Sequence, residues 1–288
     1  MSNKKDSLGD RMKGYENIPR NYLTRRIPAI IRLDGKAFHT FTKGMRKPFD
    51  RVLMATMQDT MKYLCENIQG CVFGYTQSDE ITLVLTDYKT LTTEAWFGYN
   101  IQKVVSVAAS MATMAFNKFL HEEAVDYANT DEVFYLTYSA IDPSCEDREE
   151  KEEMRHYLQI LNNAIEKGAL FDARVFSIPK EEVCNCLIWR QQDATRNSIE
   201  SVGQAYFSHK ELDRKSCDMI QEMLWQEKGI NWNEFPSDCK RGSACYRKPT
   251  TGTIVKDGKE ISFERNGWVV DVEPPIFTQD RDYIEKWL

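Results

Sequence analysis

The sequence predicts an α+β fold, on three observations. Apolar runs of strand length alternate with two long stretches of helical period, in the order strand, helix, strand, strand, helix, strand. Acidic residues close the first strand and occupy the turn between the second and third. Hydrophobic content of 42% and charged content of 28% over 288 residues are those of an ordinary globular protein, with room for one large domain or two modest ones.

The elements follow in order. Pro28 to Leu33 is apolar between charged flanks and reads as a short buried strand. Phe49 to Ile68 repeats Val52, Leu53, Thr56, Met57, Thr60, Met61 and Leu64 at helical spacing. Cys71 to Thr76 and Ile81 to Thr86 read as two strands joined by the tight turn Q-S-D-E. Ala95 to Leu120 carries Ile101, Val104, Val105, Ala108, Met111, Ala112, Ala115 and Phe119 on one stripe, so one long helix is expected. Ala169 to Ile178 reads as the last strand. This β-α-β-β-α-β order is that of ferredoxin-like domains and of polymerase and cyclase palms.

An insert of about residues 121–168 interrupts the order before the last strand and holds the charge run Glu146 to Glu153, read as a solvated helical face. A boundary near Pro179 to Val183 divides a palm-like domain, residues 1–180, from a helix-rich C-terminal domain, residues 181–288.

Charge is uneven. Residues 1–51 hold 13 Lys/Arg against 5 Asp/Glu, a balance of +8, while the remainder holds 25 against 39, a balance of −14. Arg20, Arg25, Arg26, Arg32, Lys36, Lys43, Arg46, Lys47 and Arg51 flank Asp34 in sequence, and a positive field beside carboxylates suits a polyphosphate or a nucleic-acid end. The N-terminal residues have no apolar core, and Val104 to Phe119 is broken by Ser106, Ser110, Thr113 and Asn117, so a cytoplasmic protein without a membrane span is expected. The eight cysteines lack zinc-ligand spacing and read as reduced thiols.

The chemistry is concentrated in I-R-L-D-G-K-A-F-H, Ile31 to His39, and G-Y-T-Q-S-D-E, Gly74 to Glu80. Asp34 and Asp79 fall at the end of the first strand and in the hairpin turn, with Glu80 beside Asp79 as support. Two carboxylates on neighbouring strand ends suit Mg²⁺, a hard ion usually held by one or two carboxylates plus substrate phosphates. Gly35 lets the backbone approach a metal or phosphate. Phe38 could stack on a base or fill core, and His39 reads as a nucleotide contact rather than a general base.

These motifs resemble the tRNA-His guanylyltransferase family, which adds nucleotides to the 5′ end of tRNA. The likeness runs through R-L-D-G-K-A-F-H, R-K-P-F-D at Arg46 to Asp50, G-Y-T-Q-S-D-E, F-D-A-R-V-F-S-I-P at Phe171 to Pro179, W-R-Q-Q-D at Trp189 to Asp193 and Y-R-K at Tyr246 to Lys248. The resemblance implies two Mg²⁺ ions, bound by Asp34, the Gly35 carbonyl and Asp79, with Asp34, Asp79 and Glu80 as the catalytic acids. It implies nucleotide contacts at Asp34, Gly35, Lys36, Ala37, Phe38, His39, Lys47, Ser78 and Asp79, with ATP and GTP as substrates. It also implies tRNA as partner, met by Arg26, Arg190, Asn197, Arg247 and Lys248, and a homotetramer. Where eukaryotic members read H-I-N-N-L-Y-N-T, tied to recognising tRNA-His, residues 195–202 match only at Asn197. That departure suits the guanylyltransferase-like branch, which repairs 5′-truncated tRNA by templated 3′-to-5′ addition. Another palm enzyme such as a nucleotide cyclase, or a non-catalytic RNA-binding protein, is the alternative reading.

Overall fold

The computed structural model describes residues 7–130, 148–256 and 259–288. Its strands are β1 Ala29–Gly35, β2 Cys71–Gln77, β3 Glu80–Leu85, β4 Phe171–Ser177, β5 Ser243–Lys256 and β6 Lys259–Asp271. They form one antiparallel sheet in the order β4-β1-β3-β2-β5-β6. The first four strands have the ferredoxin-like palm arrangement that the element order predicts.

Alternation along β1 explains its unbroken apolar run. Ile31 and Leu33 enter one core with Ile81 and Leu83, while Ile30 enters the opposite core with Val84. A strand covered on both faces needs apolar residues at both parities. The first core is roofed by α3 Arg51–Asn67, α4 Ile101–Ala128 and α5 Arg148–Lys167. The second is roofed by α6 Lys180–Tyr206, through Val183 and Leu187. Each fully buried Leu or Ile contributes about 1.5–3 kcal/mol of hydrophobic stabilisation.

Caps set the helix starts. Asp50 accepts from Leu53 N at 3.0 Å at the start of α3, and Asn100 accepts from Lys103 N at 3.1 Å at the start of α4. The single helix expected from Ala95 is corrected here: Phe97, Gly98 and Tyr99 all have positive φ, and the regular helix begins only at Ile101. It then continues to Ala128, beyond the expected end. The charge run is helical from Arg148 onward, while Glu146 and Asp147 lie outside the described residues.

The C-terminal part contains the short helices α7 His209–Leu212, α8 Cys217–Lys228 and α9 Ser237–Arg241, then the long β5–β6 hairpin and α10 Asp282–Glu285. That hairpin was not expected. Its strand β5 pairs with β2 at Gly74↔Cys245, Tyr75↔Ala244 and Thr76↔Ser243, so the C-terminal part extends the palm sheet. Seven cysteines are free thiols, and Cys145 lies outside the described residues. Among the described residues no helix is long and apolar enough to cross a membrane.

Candidate active site

The tip of β1 and the β2–β3 turn are tied by main-chain hydrogen bonds. Gly35 N–H donates to Asp79 O at 3.0 Å, and Lys36 N–H donates to Leu170 O at 2.9 Å, just before β4. Asp34 lies opposite Glu80 on β3 and Asp172 on β4. A Cβ at Gly35 would fall 2.2 Å from the Phe38 ring, so the chain can double back here only at glycine. Ala37, at φ 54°, turns the chain into the short helix α2, Phe38–Phe41. Gln77 and Glu80 pair across a two-residue turn in which Ser78 has φ 50°, the backbone such turns require. Asp79 therefore sits in the turn itself, and its orientation is set by turn geometry rather than by strand alternation.

One alternative left open by the sequence is resolved. Phe38 fills core: it is 5% exposed and packs on Phe41, Phe116 and Phe171 with ring centroids 5.1–5.4 Å away. Its ring is not free to stack on a base. His39 is exposed, with Nε2 3.1 Å from the Thr40 hydroxyl.

The acids divide by environment. Asp34 is 42% exposed at the side chain, with the Arg174 guanidinium 3.8 Å away. Burial lifts the Asp79 carboxyl above the usual range and the Asp34 charge adds to this, against hydrogen bonds from its own backbone and Ser78. Two oxygen acids close enough to repel, beside the Gly35 carbonyl, are a donor set that fits Mg²⁺. Among the described residues no group of three Asp, Glu, His or Cys is placed to hold a metal ion, and Mg²⁺ ordinarily takes one or two carboxylates with water and substrate phosphate.

Glu80 belongs to a different network. It is 8% exposed and accepts from Arg190 Nη1 at 2.9 Å, with Arg32 Nε at 3.8 Å. Burial raises its carboxyl, and Arg190 and Arg32 pull it back. Arg190, 6% exposed, also meets Asp193 at 3.3 Å. Placing Arg190 among RNA contacts is thus corrected: its guanidinium is buried against Glu80, Asp193 and the Trp189 ring.

The loop before α3 carries Lys47, which is exposed. Buried Asp50 accepts from Arg46 N at 2.9 Å and from Tyr157 Oη at 2.8 Å, so α5 in the insert clamps this loop. Arg46 lies over the Tyr157 ring at 4.4 Å and the Tyr127 ring at 5.2 Å. Sequence reasoning missed this role for the insert, because Tyr157 is 107 residues from Asp50.

The remaining candidates scatter. Arg26 through its main-chain N–H and Arg25 through its guanidinium bind buried Asp87, just beyond the far end of β3 and about 25 Å from Asp79 at strand rise. The basic residues contiguous with Asp34 in sequence therefore do not all surround it. Arg247 and Lys248 are exposed on β5, with Arg247 over the Trp268 ring. Asn197 comes near the turn: α6 crosses the sheet face, meets Glu80 at Arg190, and one turn or two further on faces Gln77 and Ser78. There Asn197, Ser198 and Ser201 line a cavity of about 150 Å³ with Ser78, Phe49 and Ser243.

The sequence profile of the family described as tRNAHis guanylyltransferase matches residues 9–179. A bacterial tRNA(His) guanylyltransferase (Thg1)-like protein solved in complex with ATP is 40% identical, aligns over 98% of each chain and superposes with a TM-score of 0.76. The bacterial Thg1-like protein in complex with GTP is 39% identical over 98% of this chain and 99% of that one, with a TM-score of 0.68. A probable tRNA(His) guanylyltransferase of Dictyostelium discoideum is 22% identical over 84% of each chain. With the acidic tip and palm sheet in place, this chain belongs to the tRNAHis guanylyltransferase family of nucleotidyltransferases.

Proposed function

We propose that this protein adds nucleotides in the 3′-to-5′ direction to the 5′ end of tRNA, using the opposite strand as template to repair truncated ends. The observation that carries the reading is the tie between Gly35 N–H and Asp79 O, which holds the Asp34 tip and the acidic turn in one place. Support comes from relatives of similar sequence and fold solved in complex with ATP and with GTP.

In this reading Asp34, the Gly35 carbonyl and Asp79 hold two Mg²⁺ ions. When bound, these supply charge neutralisation at the phosphates and lower the pKa of the attacking 3′-hydroxyl of the incoming nucleotide. ATP or GTP activates the 5′-monophosphate by transferring its nucleoside monophosphate there with release of pyrophosphate, and the 3′-hydroxyl of the incoming nucleotide then displaces that monophosphate. The main chain from Lys36 to His39, with Ser78, positions the nucleotide, and Lys47 faces its triphosphate. Glu80 holds the root of the acidic turn through Arg190. Asn197 and the exposed pair Arg247 and Lys248 contact RNA, and the assembly is a tetramer. Selection by Watson–Crick pairing leaves the protein only shape and phosphate contacts to make.

The test incubates the protein with 5′-truncated tRNA-His, a truncated tRNA of another identity, each NTP and Mg²⁺. Labelled product is expected to grow at the 5′ end of both and to stop when the stem is fully paired. Growth only at the 3′ end, or a preference for tRNA-His lost on changing its anticodon, overturns the reading.

A further inference from the structure

Beside the Asp34 tip, on the sheet face crossed by α6, the Trp189 ring rests against two guanidinium groups. Arg190 Cζ lies 3.5 Å and Arg32 Cζ 5.4 Å from its centroid, and both arginines are anchored on Glu80. The ring is thus fixed from within, yet the residue is 51% exposed. Arg32 and Asp34 share a strand face, about 7 Å apart along β1. Directly across from Arg32 on β4 stands Arg174, with its side chain 53% exposed and its guanidinium 3.8 Å from Asp34 and 3.7 Å from Asp172. One side of the sheet therefore carries a half-exposed aromatic ring, an exposed cation and the Asp34 carboxylate.

We propose that Trp189 is the platform on which the terminal base pair of the RNA acceptor stem stacks, with Arg174 taking the adjoining backbone phosphate. The proposal rests on the 5′-end reading above. Until the incoming nucleotide pairs with the template, the last pair of the stem has one face without a stacking neighbour, and an aromatic side chain accepts any base because every base has a π-face. Such indifference suits an enzyme whose sequence selection is made by the template strand. The side of approach favours RNA over the incoming nucleotide. Phe38 anchors the α2 loop in the core under α4, whereas Trp189 lies on the opposite sheet face, over Arg32. The nucleotide loop and the platform thus reach Asp34 from opposite sides.

Trp189→Leu and Trp189→Phe test this with the full chain on 5′-truncated tRNA. The leucine variant is expected to raise KM for tRNA about 5- to 150-fold, the loss of one base–aromatic stack. Its kcat and KM for the NTP should stay within about twofold, and the phenylalanine variant should recover most of the loss. Unchanged tRNA KM in the leucine variant overturns the proposal, as does a rise in NTP KM instead. A loss of assembled mass in light scattering with tRNA KM unchanged also overturns it, by placing the ring in a contact between copies. If the wild-type protein extends no 5′ end, the parent reading fails. Filter binding of the truncated tRNA then decides the stacking question, with weaker binding by the leucine variant expected and equal binding refuting it.

Discussion

Replacing Glu80 by alanine separates a supporting acid from a reacting one. Glu80 and Arg190 are 8% and 6% exposed and meet at 2.9 Å. Removing one partner of a buried ion pair costs about 3–5 kcal/mol, because the surviving charge stays in poorly solvating surroundings. Here Asp193 remains 3.3 Å from the same Arg190 nitrogen, which places the loss near the lower end, about 3 kcal/mol. For a chain of this size that lowers the thermal midpoint by roughly 6–12 °C. Circular dichroism melts read the midpoint, and 5′-addition assays at a temperature where both proteins are folded read the rate. The variant should retain activity within about tenfold of wild type, since Glu80 touches arginines rather than the substrate side of the tip. An unchanged midpoint with activity as low as that of Asp79→Ala would refute the reasoning.

Other outcomes follow from the same geometry. Asp34→Ala and Asp79→Ala should each reduce transfer by orders of magnitude with circular dichroism unchanged, and near-normal activity in either removes that residue from the site. Burial raises the folded pKa of Asp79 above its unfolded value, so between the two the folded state holds the extra proton and this group's contribution to stability falls as pH rises. Urea midpoints in EDTA should therefore fall less with rising pH for Asp79→Asn than for wild type, and a steeper fall in the variant contradicts the assignment. Tyr157→Phe removes a 2.8 Å bond to buried Asp50 and should cost about 2 kcal/mol. It should also raise KM for the NTP through Lys47; an unchanged KM with the expected destabilisation shows that the clamp is structural only.

Much of this was legible in the sequence because the signals were local. The β1 run, the α3 stripe and the β2–β3 hairpin each carry their own periodicity, and Asp34 and Asp79 fall where that order places them. What failed to show depended on long-range contact. Arg190 looks like any surface cation until α6 lays it on Glu80, 110 residues away. Arg26 is near Asp34 in sequence but at the other end of the strands, because the intervening chain is extended. The β5–β6 hairpin escaped because T-T-G-T and E-R-N-G interrupt any apolar alternation. The helix break at Phe97 is invisible to periodicity, since the residues around it remain compatible with helix.

The pairing of β5 with β2 has a consequence for synthesis. The acidic turn is complete once residue 80 has been made, but the strand leading into it keeps an open edge until residues 243–245 emerge. Unpaired strand edges are templates for association with other chains. The nascent palm thus spends more than half of translation with the strand beneath its reactive turn exposed. Its partner is also remote in sequence, a pairing that closes slowly. A chain ended after α6 would carry Asp34, Asp79 and Glu80 beside a sheet still unclosed next to them.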